Sequence, residues 1–242
     1  MEGLFYLLAG AVFLFSLVVR RKLSSTYQKW GRTRNRANIT GAQTSMAILE
    51  ANDMRRVRIG QIRGKLKDHY DPRNKTIRLS DPVYEVPSVA AMAVAAHETG
   101  HAIQDKVDYA PLEIRTFLAP VAAAGARFGL PAAIVGSFLG TPTLVLVGLL
   151  AYAGALLLQL LTLPVEFNAS KRAMRQLEKL GVMGKEERKG VREVLRAAAM
   201  TYGAGAASSA GYVIYLLIIG GNALLRRPAL ASPPLKPPPA LF

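Results

Sequence analysis

The 242-residue chain contains no cysteine and only three histidines. Without cysteine it can form no disulfide bond, no thiolate metal site and no thiol nucleophile. Any bound transition metal must therefore be held by imidazole and carboxylate groups. The search for a metal site narrows to His69, His97, His101 and the acidic residues that the fold brings near them.

Acidic residues are also scarce, because 16 Asp and Glu stand against 31 Lys and Arg, for a formal net charge of +15. Such an excess occurs in proteins that bind nucleic acid or anionic membranes, and in the cytoplasmic loops of membrane proteins. Eighteen of the basic residues lie between positions 20 and 116, and nine lie between 171 and 196. The basic stretch RRVRIGQIRGKLK has neither a recognisable nucleic-acid module nor interleaved aromatic residues, so we predict no nucleic-acid partner.

Three long stretches carry no charge, at residues 3–19, 128–165 and 197–225. At about 1.5 Å of rise per residue, a helix over the first stretch would span roughly 26 Å, which is close to the thickness of the hydrocarbon core of a bilayer. The second stretch divides at Gly140, Thr141 and Pro142, which are typical of a tight turn. We therefore predict a multi-pass membrane protein with about four transmembrane helices, and the lipid bilayer as a partner.

The first stretch is predicted to be a retained signal-anchor helix rather than a cleaved signal peptide. Glu2 stands where a basic region is expected, no convincing A-x-A site follows, and Arg20, Arg21 and Lys22 come directly after the apolar run. Under the positive-inside rule, both basic regions of the chain face the cytoplasm. We predict a cell-membrane protein whose N-terminus lies outside and whose functional site faces the cytoplasm.

The chain is predicted to be mainly α-helical, with an α+β portion between its membrane segments. Thr40 and Ser88 are suited to cap helices, and HYDPRNKTIRLS indicates short strands joined by a turn. The strand at KTIRLS could pair with an extended substrate beside a cleft, or be purely structural. The predicted segments are a signal-anchor helix at 1–22, a cytoplasmic α+β region at 23–116, a transmembrane hairpin at 117–163, a cytoplasmic helix at 164–196, a transmembrane helix at 197–225 and a disordered proline-rich tail at 226–242.

The stretch VAAMAVAAHETGHAIQDKV, residues 89–107, carries two of the three histidines at a spacing of four. On an α-helix His97 and His101 lie about 40° apart around the axis and one turn apart along it, so both imidazoles point towards a single ion. Glu98 is rotated by roughly 100° from His97, which places it within reach of a water on that ion but badly for a ligand. The alternative is an apolar helix with two hydrogen-bonded or snorkelling histidines near the membrane interface.

A catalytic zinc site needs three protein ligands and one open position, so the third ligand must be His69 or a carboxylate. Glu166 is the best candidate, because it follows the third predicted transmembrane helix and returns to the membrane side of the two histidines. Glu166 could instead stabilise the N-terminus of a helix. If His69 closed a four-ligand site, the metal would be structural and the protein would be a non-catalytic membrane scaffold or chaperone-like protein.

Arg127 lies near the middle of the second predicted transmembrane helix, where a charge is costly. We expect it to face the interior of the helix bundle and to line a polar cavity below the metal site. It could otherwise snorkel to the interface, if that helix begins later than predicted.

Several segments together resemble known metallopeptidases. HETGH and EFNAS, with a predicted transmembrane hairpin between them, are similar to the gluzincin pattern of HtpX- and Ste24-type membrane metallopeptidases. HYDPRNKTIRLSDPVY, VAAHETGHAIQ, YAPLEIR and LPVEFNASKRA resemble the YugP-type neutral zinc metallopeptidases of bacteria more closely, from roughly the first transmembrane helix to Tyr215. The resemblance implies a zincin-like catalytic region, with His97, His101 and Glu166 as zinc ligands and Glu98 as general base. It also implies hydrolysis of a peptide or membrane-protein substrate by a zinc-activated water.

One position departs from the wider gluzincin pattern. HtpX and Ste24 relatives usually read E-x-x-A-D, with an aspartate that orients a zinc histidine, and Ser170 stands in its place. Either Ser170 orients the histidine more weakly, or His69, Asp71 or Asn168 takes over this role. The candidates for stabilising a tetrahedral oxyanion are His69, Tyr70 and Tyr202.

Overall fold

The computed structural model describes residues 2–225, and the predicted proline-rich tail lies outside the described residues. The described chain is mainly helical with one small sheet, as predicted. In chain order its elements are α1 (Glu2–Gly31), α2 (Gly41–Ala51), β1 (Arg58–Ile62), β2 (His69–Asp71), β3 (Thr76–Ser80), α3 (Asp81–Tyr84), α4 (Val89–Lys106), α5 (Ala110–Phe138), α6 (Pro142–Lys179) and α7 (Lys185–Leu225).

Two predicted helix caps are confirmed. The Thr40 hydroxyl accepts a hydrogen bond from the backbone N–H of Gln43, whose side chain accepts one from the Thr40 N–H, and this reciprocal capping box starts α2. The Ser88 hydroxyl accepts a hydrogen bond from the N–H of Ala91 and starts α4. The Ser88 cap fixes where α4, the helix that carries HETGH, begins.

Long helices run through four of the predicted segment borders, and α5 crosses the one predicted at residue 116. α1 continues past the basic residues after position 19 as far as Gly31, and α7 joins the predicted cytoplasmic helix to the last apolar stretch. α6 continues through Pro164. A proline in a helix removes one backbone hydrogen bond, and the helical bonds on either side of it keep α6 continuous. The predicted membrane segments and the predicted cytoplasmic segments therefore share single helices.

The three strands form one sheet in the order β1-β3-β2. β3 pairs in parallel with β1, from Arg58 opposite Thr76, and antiparallel with β2, where Tyr70 lies opposite Ile77. The strand predicted from KTIRLS is thus confirmed, but it is the central strand and both of its edges are occupied. The suggestion that this strand pairs with substrate is wrong, because the two edge strands of the sheet are β1 and β2.

α4 lies at the centre of the core and packs against α2, α6, α7 and the sheet. Nearly all of its residues between Val89 and Gln104 are buried, and half of the buried ones are alanine or glycine. Small side chains let neighbouring backbones come close, so the helix can be surrounded on several sides. The histidine motif is thereby held inside the protein and not on a free surface.

α5 and α6 form a hairpin around Gly140, which has a φ of +62° and joins the two helices as predicted. Small residues line their interface: a Cβ at Gly148 would come within 2.5 Å of the Gly129 carbonyl oxygen, so the two backbones nearly touch. In the most apolar windows of α5 and α6, only 22% and 17% of the residues are buried. The apolar side chains of this hairpin therefore lie largely outside the core.

Within the described residues, α5 and α6 are the two helices long and apolar enough to cross a membrane. The prediction of about four transmembrane helices is therefore too high, since two of the described helices meet the requirement. In α1 the uncharged run ends at Val19, directly before Arg20, Arg21 and Lys22. In α7 the uncharged stretch is rich in glycine, alanine and serine, which transfer into hydrocarbon much less favourably than leucine or isoleucine.

The prediction for Arg127 is also wrong. Its side chain is exposed, and its guanidinium lies 5.4 Å from the centre of the Phe128 ring. The residues of α5 that face the cavity beside the histidines end at Pro120, about two turns earlier. Arg127 lies about 10 Å further along α5 than Pro120, beyond the end of that cavity, and its side chain is exposed there.

Candidate metal centre

The two histidines of α4 lie side by side, as the spacing of four predicts. Their ring centroids are 4.8 Å apart and the ring planes are almost perpendicular. The side chain of His97 is 14% exposed and that of His101 is 8% exposed. Both rings are therefore largely shielded from water at one point of the buried helix.

Gly100, between the two histidines, allows α6 to approach α4. A Cβ at this position would lie 2.6 Å from the carbonyl oxygen of Ala169, so the helices are in backbone contact here. Ala169 is fully buried and lies one turn after Glu166 on α6. Because Gly100 has no side chain, the turns of α6 that follow its apolar part can lie against the histidines.

This contact places Glu166 against both imidazoles. Its Oε2 lies 3.0 Å from His97 Nε2 and 3.5 Å from His101 Nε2, and the carboxylate is 2% exposed. The candidate ligand atoms of the three residues all lie within 4.8 Å of one another. Among the described residues, this is the one group of histidine and acidic side chains gathered closely enough to hold a metal ion.

The hydrogen bonds around His101 determine which of its nitrogens carries the proton. Gln104 is fully buried, and its amide NH2 group donates to the Val165 carbonyl oxygen at 2.8 Å and to Asn168 Oδ1 at 3.0 Å. Its Oε1 is therefore directed at His101 Nδ1, 2.9 Å away, and Nδ1 must donate. In the neutral imidazole this leaves Nε2 with a free lone pair facing the Glu166 carboxylate.

Two acceptors that face each other in a buried place repel unless a cation lies between them. The Nε2 lone pair of His101 and Oε2 of Glu166 are in this situation, and a divalent ion satisfies both. Two imidazoles and one carboxylate are also a known ligand set for catalytic zinc, with one coordination position left open. The three side chains therefore fit a zinc ion by position and by protonation state.

Ser170 contacts His97. Its hydroxyl lies 3.2 Å from His97 Nδ1, on the side of the ring away from Glu166. Asn168 does not contact a histidine directly but accepts hydrogen bonds from Gln104 and from Arg172 Nε at 2.7 Å. Ser170 therefore contacts His97 directly, whereas Asn168 is linked to His101 through Gln104.

Glu98 is 8% exposed, and it does not belong to the group of three side chains that could hold a metal ion. Burial raises its pKa to about 7, while the positive field of His97 partly opposes this rise. Together with His101 and Glu166 it lines a cavity of about 510 Å³. A carboxyl group that gains and loses a proton near neutral pH is suited to general acid–base chemistry.

The remaining walls of this cavity come from three other parts of the fold. They are β2 with its flanking residues, the first turns of α5 from Leu112 to Pro120, and Tyr202 of α7. His69 is exposed at the wall, its Nδ1 lies 2.8 Å from the Lys67 carbonyl oxygen, and it is not part of the metal-ligand group. Asp71 is engaged by the following turn, through the backbone N–H groups of Arg73 and Asn74.

Tyr70, on the edge strand β2, is held onto α4. Its hydroxyl donates to Asp105 Oδ2 at 2.6 Å, and Lys75 Nζ makes an ion pair with the same oxygen. Asp105 lies one turn after His101 on α4. The hydroxyl of Tyr70 is thus engaged away from the histidines, and its role here is to hold the strand beside the cavity.

Sequence reasoning missed two residues at the centre. Gln104 could have been found, because it follows His101 by three residues on the same helix, and a buried polar residue at that spacing can contact the ring. Arg115, whose Nη1 lies 3.2 Å from Glu166 Oε1, reaches the centre from α5. No local sequence pattern predicts that contact, because it depends on how α5 and α6 pack.

Comparisons with known proteins indicate the family of this chain. Residues 5–220 match a family model described as "Putative neutral zinc metallopeptidase". The chain is 38% identical over 203 residues to a Bacillus subtilis (strain 168) protein named "Putative membrane protease YugP", and the match covers 84% of this chain and 90% of the relative. No solved structure matches significantly. The family match over most of the chain and the His-His-Glu group lead to one conclusion: this chain belongs to the neutral zinc metallopeptidase family.

Proposed function

We propose that this protein is a membrane-embedded peptidase that hydrolyses peptide bonds, with zinc held by His97, His101 and Glu166 and with Glu98 as general base. The observation that carries the proposal is the placement of a buried carboxyl group, Glu98, beside a buried His-His-Glu group on one cavity. A purely structural zinc site would be expected to have four protein ligands. Here His69 lies outside the group, which favours an open, catalytic site.

A zinc ion held by these three residues supplies Lewis-acid chemistry, because it acidifies water and polarises a carbonyl group. Glu98 takes the proton of the attacking water onto its carboxylate and later delivers it to the leaving amine nitrogen. Burial suits Glu98 to both steps, since its pKa of about 7 makes the two protonation states similar in free energy near neutral pH. Tyr202 lines the same cavity and is placed to donate a hydrogen bond to the substrate.

The substrate is a polypeptide that enters in an extended form. β2 borders the cavity and has β3 on one side, so its other edge can accept a substrate strand by backbone hydrogen bonding. Another wall is the beginning of α5, one of the two candidate membrane helices. Peptide or membrane-protein segments near the bilayer surface are therefore the expected substrates.

We further propose that the protein crosses the cell membrane several times and that its site faces the cytoplasm. The clustering of basic residues at 20–116 and 171–196 supports this orientation. The natural absence of cysteine makes a clean test possible. A single cysteine introduced as Lys189→Cys should resist a membrane-impermeant maleimide on intact cells and react after permeabilisation, whereas reaction on intact cells would reverse the orientation.

The hydrolytic proposal is tested by Glu98→Gln in detergent-purified protein. The variant should keep about one zinc per chain by elemental analysis, because Glu98 is not a ligand, and should lose cleavage of fluorescein-labelled casein. Glu113→Gln is the matched control, since Glu113 is exposed on α5 and outside the cavity. Cleavage by Glu98→Gln at the wild-type rate would refute the assigned base, and a wild-type protein without bound zinc would refute the site.

A further inference from the structure

The two oxygens of Glu166 have different surroundings. Oε2 faces both histidine Nε2 atoms, whereas Oε1 faces Arg115, whose Nη1 lies 3.2 Å away. Within the described part of the chain Oε1 has no hydrogen-bond partner, although it is fully buried. The Arg115 guanidinium is thus a cation that compensates the charge on this oxygen, and the Tyr202 hydroxyl is a second polar neighbour of Glu166.

An isolated carboxylate oxygen in a buried place is strongly unfavourable. The side chain of Glu166 is 2% exposed, whereas that of Arg115 is 31% exposed, so the arginine reaches inwards from the cavity wall. Arg115 has Glu166 as its carboxylate partner among the described ion pairs. The contact therefore offsets the charge of Glu166 and does not belong to a wider network of surface ion pairs.

Arg115 approaches from the neighbouring helix of the hairpin. It lies on α5 in a row with Leu112, Thr116 and Ala119, spaced by three and four residues, which puts one helical face against the cavity. Glu166 lies on α6, and α5 and α6 pack along most of their lengths. Packing of the hairpin therefore decides where the guanidinium sits relative to the carboxylate.

From this geometry we propose that Arg115 is a positioning residue for the metal centre. It holds Oε1 of Glu166 away from the histidines, so that Glu166 presents Oε2 alone to the metal and one coordination position stays open. The inference rests on the proposed assignment of His97, His101 and Glu166 as zinc ligands. Groups that orient a ligating side chain commonly change metal affinity by about 10–100-fold when they are removed.

The test measures zinc affinity and the cobalt spectrum of detergent-purified protein. Arg115→Gln should weaken zinc binding by about 10–100-fold in competition with a chelator. In the Co²⁺-substituted protein it should also lower the intensity of the visible bands, because a carboxylate free to bind through both oxygens raises the coordination number. Arg115→Lys keeps a cation near Oε1 and should recover part of both properties. Arg73→Gln is the matched control, since Arg73 lines the same cavity without contacting Glu166.

A double-variant comparison separates positioning from a general structural effect. In a Glu166→Gln background, Arg115→Gln should cause no further loss of zinc affinity, because its effect passes through the carboxylate. A similar loss in both backgrounds, or wild-type affinity and an unchanged cobalt spectrum in Arg115→Gln alone, would overturn the positioning role while leaving the zinc site intact. Unchanged zinc affinity in Glu166→Gln alone would instead overturn the ligand assignment, and with it this inference.

Discussion

Gly100→Ala probes the contact that assembles the metal centre. The added Cβ would lie 2.6 Å from the Ala169 carbonyl oxygen and 3.2 Å from its carbonyl carbon. Ordinary contacts of a Cβ begin at 3.4 Å, so α4 and α6 must separate locally by close to 1 Å. Both atoms belong to backbone buried in the core, and neither can be relieved by rotating a side chain.

The separation would act directly on Glu166, which lies one turn before Ala169 on α6. Its Oε2 now lies 3.0 Å from His97 Nε2, and a shift of about 1 Å at a reacting site can lower activity by roughly 10²-fold. Overpacking of a core costs about 1–3 kcal/mol, which the better helix propensity of alanine offsets by up to about 1 kcal/mol. We expect a modest loss of stability and a large loss of zinc affinity and hydrolysis.

The assay for Gly100→Ala combines chelator competition for zinc, casein cleavage and thermal unfolding in detergent. Gly154→Ala on α6 is the matched control, because a Cβ there meets no atom within 4 Å and should leave zinc affinity unchanged. If Gly100→Ala binds zinc and cleaves casein like the wild type, then helix contact at this glycine does not position Glu166 and the reasoning fails.

Three further substitutions test the supporting contacts. Gln104→Leu removes the group that fixes the proton on one imidazole and should weaken zinc binding by about 10–100-fold in chelator competition. Ser170→Ala removes a neutral contact with His97 and should weaken it by less than about tenfold, since such a bond contributes about 0.5–1.5 kcal/mol. Tyr70→Phe loses the hydrogen bond to Asp105 and should lower the free energy of unfolding by about 1–3 kcal/mol, with the zinc content unchanged.

Each of these expectations has a clear contrary result. Wild-type zinc affinity in Gln104→Leu would mean that the proton on His101 is set by the metal itself. A loss in Ser170→Ala as large as that in Gln104→Leu would place the serine on a par with the aspartate of the wider gluzincin pattern. Loss of zinc from Tyr70→Phe would show that β2 supports the ligands as well as the cavity wall.

Features that depend on neighbours along one helix were predictable from the sequence. The pairing of His97 with His101 and the start of α4 at Ser88 follow from helix geometry and capping, which act within one or two turns. The turn at Gly140 is local for the same reason. Gln104 belongs to this class as well, although its polar character within an apolar helix was not used.

Features that depend on which elements lie next to each other were not predictable. β3 looked like a possible edge strand, yet the order β1-β3-β2 makes it central, and strand order is a non-local property. Arg127 was expected inside because a charge in a long apolar run suggested a cavity, but the cavity ends about two turns before it, and packing between helices sets that limit. Counting apolar runs predicted four transmembrane helices, whereas within residues 2–225 two helices are long and apolar enough.

By itself the sequence determined the chemistry of this protein: a chain without cysteine and with HETGH can offer a metal only imidazole and carboxylate ligands, two of them on one helix face. Only the tertiary structure decided the rest of the centre. Backbone contact at Gly100 sets Glu166 against the histidines, and Arg115 crosses from α5 to its second oxygen. The physical reason is the distance along the chain over which each interaction acts. Helix periodicity relates residues a few positions apart, whereas these contacts join residues tens of positions apart and depend on how the helices pack.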